Sequence, residues 1–297
     1  MASRGLFVGP LLHLRTLPAF ESLSPLHLTL LAQEVEEVVV ERGMVLLSPD
    51  QPAQDLHVVV DGLVDLRRGN THGSVGPGEA VGFMELLAQG PSGTEARAQV
   101  DTVALRLDGD ALREVCERHF ALLDALMANV ARRVTESPEA LRGAVQGEPS
   151  AWSHDLRRPL DRVGRMLALY RSPVFPSTSM DALSELAGHL EEVEIRAGGP
   201  LWRVGDAADS FFIVCSGTVQ YLSRVGGWSV DVGPGGVPGL PGTMARSHRA
   251  VEAEAVDTVV ALRMGIEPFL DILEDHFEMA YELLGRLARC VLAAGTP

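Results

Sequence analysis

The chain has 297 residues, 46% of them hydrophobic, and carries a formal charge of −15. That length is about two domains' worth, and the apolar content is enough for two packed cores. The acidic balance opposes a nucleic-acid or acidic-lipid partner, because holding phosphates requires a lysine- and arginine-rich face that displaces counterions.

In chain order, the run GLFVGPLLHL (5–14) is too short to span a bilayer, is interrupted by Pro10 and lacks a cleavage pattern of small residues. Neither a membrane anchor nor an export signal is read from it, and the cytoplasm is the default compartment. Leu23, Leu26, Leu30 and Leu31 recur at three- and four-residue spacing and predict a helix. LHVVVDGLVDLRR (56–68) predicts two alternating arms around Asp61-Gly62, a two-residue hairpin turn where glycine takes positive φ cheaply. The stretch from Val75 to Thr102 opens on V-G-P-G and closes on V-D-T, with a glycine-rich turn between of the kind that cradles a phosphate. From Asp101 a last strand runs into a helix, and a long amphipathic helix follows near Phe120 to Val134. Glu136 to Pro159 contains Pro138, Gly147 and Pro149 and reads as a hinge with a short helix at 139–145. A boundary near Gly147 gives domains 1–147 and 148–297.

The same order then returns. Met180, Leu183, Leu186 and Leu190 open it, and SFFIVCSGTVQYLSR (210–224) repeats the two arms around Ser216-Gly217. Val232 to Thr258 repeats V-G-P-G and V-D-T, and a last helix runs near Phe277 to Val291. Phe20 and Phe175, Glu36-Glu37-Val38 and Glu191-Glu192-Val193, Gly43 and Gly198, and Gly62 and Gly217 all lie 155 residues apart. The offset becomes 157 at V-G-P-G, 156 at D-T and 157 again at His119-Phe120 and His276-Phe277. So steady a register marks an internal duplication.

Enzyme chemistry finds no foothold. Cys116, Cys215 and Cys290 are odd in number and far apart, which fits buried thiols in a reducing compartment. The nine histidines show no metal-ligand spacing, and no catalytic residue or metal ligand is assigned. Nucleophile-elbow, Walker and dinucleotide motifs are absent from the sequence. ARRVTES (131–137) has the basic-basic-x-threonine form of a kinase substrate, and the sequence leaves open whether Thr135 is phosphorylated.

The succession of Arg42-Gly43 to Leu46, a strand pair turning on D-G, V-G-P-G-E, G-x-x-x-L-L, then A-R-A and D-T resembles the cyclic nucleotide-binding domain. Catabolite-activator transcription factors, protein kinase A regulatory subunits and nucleotide-gated channels carry that domain. The resemblance covers about 17–134 and 170–291. It implies a mainly β fold with flanking helices (α+β), as two tandem double-stranded β-helix or jelly-roll domains. It also implies a phosphate cassette, F-G-E-x-A-L followed by R-A-A, whose glutamate accepts from the ribose and whose arginine pairs with the cyclic phosphate. In the first unit Gly82 fits, but Phe83 stands at the glutamate's place and Ser92 at the arginine's. Glu85, displaced by two positions, and Thr94 are the remaining candidates there; Arg97 falls on an ordinary strand position. In the second unit Gly239 fits, Leu240 replaces the glutamate, and Arg249-Ala250-Val251 matches the arginine segment. Pro238 and Pro241 beside that turn remove amide donors. Two readings of Arg249 stand: partner of cyclic AMP or cyclic GMP, or a solvated loop residue.

The DNA-reading members of the family append a helix-turn-helix domain, and this sequence stops at Pro297, just past Val291. The expectation is therefore a non-enzymatic signalling module acting on a protein partner, or else a ligand-free adaptor that uses both rolls as interaction surfaces. The apolar stripes of the long helices, Phe120 to Val134 and Met279 to Val291, either cover their own rolls, pair with each other inside the chain, or join two copies.

Overall fold

The computed structural model describes residues 8–17, 20, 21, 23–145, 159–175, 177–223 and 227–295. The chain divides into two units, Met1–Asn129 and Val130–Pro297. The expected boundary at Gly147 lies outside the described residues.

In the first unit α1 (Val8–Thr16) and α2 (Pro25–Gln33) lead into β1 (Val35–Val40), β2 (Val45–Leu47), β3 (Asp55–Asp61), β4 (Val64–Arg68), β5 (Thr71–Val75) and β6 (Ala80–Val81). A short α3 (Phe83–Ala88) precedes β7 (Thr94–Ala98) and β8 (Thr102–Asp108), then α4 (Gly109–Arg118) and α5 (Phe120–Glu136). The strands form two antiparallel sheets, β1-β8-β3-β6 and β2-β7-β4-β5. This is the expected jelly roll, with its helices before and after it.

The second unit takes in the end of α5 from Val130 and continues with α6 (Pro138–Val145), α7 (Arg162–Arg171) and α8 (Met180–His189). Next come β9 (Glu191–Ile195), β10 (Pro200–Trp202), β11 (Ser210–Ser216), β12 (Val219–Ser223) and β13 (Trp228–Val232). Five-residue α9 (Leu240–Met244), β14 (Glu252–Ala255), β15 (Val259–Gly265), α10 (Ile266–Asp275) and α11 (Phe277–Ala293) complete it. Its sheets are β9-β15-β11 and β10-β14-β12-β13, in the order of the first roll except that no strand stands at the place of β6 among the described residues.

The two glycine corners differ from expectation. Asp61-Gly62 does not close a hairpin: β3 pairs with β8 and β6, whereas β4 pairs with β5 and β7, so the chain changes sheets there. Ser216-Gly217 does the same between β11 and β12. The reason for glycine is close approach as much as φ. At Gly62 (φ +108°) a Cβ would stand 2.5 Å from Thr102 Oγ1, and at Gly217 (φ +82°) 2.5 Å from the Thr258 carbonyl oxygen. The V-D-T landmark thus fastens the corner, with Asp257 Oδ1 accepting from the Thr218 amide at 2.7 Å and, in the first roll, Thr102 Oγ1 accepting from the Leu63 amide at 3.3 Å. The true hairpin of the first roll joins β4 to β5 through Gly69-Asn70, between paired Arg68 and Thr71.

Strand β14 shows how the interior is made: in E-A-E-A the alanines are buried and the glutamates are not, the period-two pattern of a half-buried strand. Small inward side chains on this central strand leave room for large ones on its neighbours. In register, Ala253 faces Trp202 on one side and Tyr221 on the other. In the first roll Ala96 faces Leu47 and Leu66.

Candidate functional site

Each roll turns into its cassette at a glycine with φ of +94°, Gly82 before α3 and Gly239 before α9. A side chain is strained at both by the positive φ. A Cβ on Gly82 would lie 2.7 Å from the Asp55 carbonyl oxygen, and one on Gly239 would lie 3.1 Å from Arg249 Nη1.

In the second roll Arg249 is buried, 5% exposed, so it is no solvated loop residue. Nη1 donates to the Gly239 carbonyl at 3.1 Å and Nη2 to the carbonyl of Ser210. Its guanidinium carbon sits 4.3 Å from the centroid of the Trp202 ring, a desolvated cation–π contact. Nε is buried with no hydrogen-bond partner among the described residues. Burial pulls the Arg249 pKa below its ordinary value, against the upward influence of Tyr221, Asp209 and Asp206. An arginine still remains charged there.

Trp202 is itself anchored: its indole N–H donates to the Val251 carbonyl at 2.9 Å, and its ring meets Tyr221 edge-on at 5.5 Å. The Tyr221 hydroxyl accepts from the Gly239 amide at 2.6 Å, taking an N–H that a cassette would point at a phosphate. Burial pushes that phenol's pKa up, so it stays protonated. What is left is a cavity of about 30 Å³ bordered by Leu141, Trp202, Tyr221, Gly239, Pro241 and Arg249. Of the residues singled out in the sequence, Gly239 and Arg249 meet here; Val251 is a buried core residue, and Ala250 is exposed at the rim.

The first roll holds no such arrangement. Phe83 is buried and packs edge-on to Phe20 at 5.3 Å. Ser92 turns inward on its own loop, its Oγ accepting from the Thr94 amide at 3.2 Å. Thr94 is buried, with Oγ1 unpartnered among the described residues, and Glu85 is half-buried in the first turn of α3. Arg97 is a surface residue, paired with Glu95 at 2.8 Å and donating to the Gly43 carbonyl at 2.8 Å.

Trp202 and Tyr221 escaped the sequence reading because an aromatic on a strand reads as core. The signal was available in the repeat. At the corresponding positions of the first roll stand Leu47, Leu66 and Ser92, so the aromatic pair and the arginine are present or absent together.

The model of the cyclic nucleotide-binding domain matches residues 37–119 and 192–276, more than half of the chain. The chain belongs to the cyclic nucleotide-binding domain family. Among curated relatives, a CRP-like cAMP-activated global transcriptional regulator of Mycobacterium tuberculosis is 23% identical over 121 residues, 39% of this chain and 54% of that protein. The chain thus spans about half the length of the curated relatives it matches. Among solved structures, the regulatory subunit of a cAMP-independent protein kinase A from Trypanosoma brucei is 18% identical, with 94% of this chain and 91% of that one covered and a TM-score of 0.37. The N-terminal domain of a transcriptional regulator from Streptomyces coelicolor A3(2) is 26% identical over 41% of this chain and 90% of that one, with a TM-score of 0.37. The two spans matched by the cyclic nucleotide-binding domain hold both sheets of each roll almost entire, along with both cassettes.

Among the described residues no helix is long and apolar enough to cross a membrane. Nor is any group of three or more His, Cys, Asp or Glu side chains placed to hold a metal ion.

Proposed function

We propose that this member of the cyclic nucleotide-binding domain family is a non-enzymatic regulatory module acting on a protein partner. Its second roll is the sensory pocket for cyclic AMP or cyclic GMP, and its first roll is a scaffold with a degenerate cassette. One observation carries the reading: a buried guanidinium with an unpartnered N–H faces the start of α9, and no aspartate or glutamate is buried among the described residues to neutralise it. Two carbonyls and a ring compensate a buried cation only in part, and a phosphate oxygen would do so more fully. Membership of the family and the cAMP-activated mycobacterial relative support the same class. The buried free thiols of Cys116 and Cys215 suit a cytoplasmic setting.

In the conformation described, the cavity of about 30 Å³ holds a water or two. Ligand pockets start at roughly 300 Å³. A nucleotide therefore enters only when the wall moves. That closure favours a second reading, a ligand-free adaptor in which Tyr221 and the Gly239 and Ser210 carbonyls are the permanent partners of the cassette. Calorimetry with cyclic AMP and cyclic GMP on the wild type and on Arg249→Ala separates them. Heat that the substitution abolishes supports sensing, and silence in both leaves the adaptor.

A further inference from the structure

The wall of the Arg249 cavity is not made by the roll alone. Helix α6 has eight residues, and its Leu141 and Val145, 4% and 1% exposed, belong to the same core cluster as Trp202, Tyr221, Val230 and Val251. Leu141 also borders the cavity. The next residue, Arg142, sits over the Trp228 ring, 5.3 Å from its centroid, and pairs with Glu139 at 3.4 Å. So α6 lies along the inner face of the β10-β14-β12-β13 sheet, and it packs on α11 as well.

Two features make α6 an occupant rather than a part of the roll. It precedes α7 and α8, the helices that lead into the strands of the second roll as α1 and α2 lead into those of the first. It is also too short to be helical by itself. A helix of eight residues containing a glycine, Gly143, is unstable in water, so its shape depends on the Ser137 cap, whose Oγ accepts from the Ala140 amide at 3.2 Å, and on the surface beneath it.

We infer that the inner sheet of the second roll is a helix-binding groove, and that its resident ligand is the chain's own α6, held by Leu141 and Val145 one turn apart and by Arg142 on Trp228. The groove takes a short amphipathic helix of the form Leu-Arg-x-x-Val. Because Leu141 closes the cavity over Arg249, occupancy of the groove and entry of any ligand at Arg249 exclude each other. Only that last consequence rests on the sensory reading; the groove itself does not.

The test uses the full chain carrying Trp152→Phe, so that Trp202 and Trp228 are the reporters. Leu141→Ser with Val145→Ser is expected to red-shift their fluorescence and raise its quenching by acrylamide. A synthetic peptide of residues 137–145 added in trans should reverse both changes, and the same peptide bearing the two serines should not. Unchanged quenching in a variant that keeps its circular dichroism, or failure of the peptide to restore protection, overturns the proposal. If the double variant does not fold, Leu141→Ala is read in the same way. In the double variant, whose cavity Leu141 no longer closes, peptide binding without any nucleotide heat sinks the sensory reading and leaves the groove standing; nucleotide heat there without peptide binding does the reverse.

Discussion

The guanidinium of Arg249 stands over the indole of Trp202 at 4.3 Å while the indole N–H holds the Val251 carbonyl, so ring and cation fix each other between β10 and the loop that leads into β14. Trp202→Ala should cost about 3–5 kcal/mol, the usual loss for a buried tryptophan. Urea unfolding checks it. Added to Arg249→Ala, the same substitution should cost less than the sum of the two, because a desolvated cation–π contact of about 2 kcal/mol is removed only once.

Arg249→Lys should behave as a loss. One ammonium cannot reproduce the fork that reaches the carbonyls of Gly239 and Ser210 together; Thr243 still donates to both, so the expected drop is that of one lost hydrogen bond to a charged group, about 1.5–3 kcal/mol. Tyr221→Phe makes the complementary change, stripping the Gly239 amide of its acceptor, with a similar cost. Thermal unfolding of each single variant against the wild type measures both.

The two cassette glycines differ in how much room surrounds them. Gly82→Ala must drive a methyl against the rigid Asp55 carbonyl at 2.7 Å, whereas Gly239→Ala meets the end of the Arg249 side chain at 3.1 Å and the Ser210 carbonyl at 3.2 Å. Both incur the left-handed backbone penalty of about 1–2 kcal/mol. Gly82→Ala should be the more damaging of the pair, and equal melting temperatures would contradict the comparison.

His57 on β3 is buried, and desolvation first, then the Arg106 charge, lowers its pKa below 6.5 against the pull of Asp55. The unfolded chain therefore takes up this proton at a higher pH than the folded chain. The contribution to stability is fully present above about pH 6.5 and is lost as pH falls from there through the depressed folded value. His27 acts in the same direction, through burial and then through His119. Melting temperatures at pH 7.5 and 5.0 should fall with acidity, and His57→Leu should flatten the slope.

Burial pushes the Cys116 thiol up to about 12, and the residue is fully covered. Its reaction with a chromogenic disulfide should proceed only through opening of the fold, so in a Cys215→Ala, Cys290→Ala background the labelling rate should rise with urea. Fast labelling in buffer alone would contradict that burial.

The duplication, the order of strands and the cassettes were legible in the sequence because they rest on local marks: V-G-P-G, V-D-T and paired glycines in one register. The corners were not. Asp61-Gly62 between alternating arms is locally the same whether the arms pair with each other or part to different sheets. What decides is the distant pairing of β3 with β8 and the threonine against the glycine, Thr102 at Gly62. The Gly69-Asn70 dipeptide was the better hairpin signal in the same stretch. At the site, Arg249 was legible through its motif, but its burial was not, since that depends on Trp202 arriving from β10 and on α6.

The register Trp202–Ala253–Tyr221, set against Leu47–Ala96–Leu66, has a consequence for anyone who would rebuild these pockets. Ser92→Arg alone would strand a cation between two aliphatic side chains with no ring to rest on and no phenol to settle the glycine amide. The transplantable module is a trio, and its members have to be exchanged in one step.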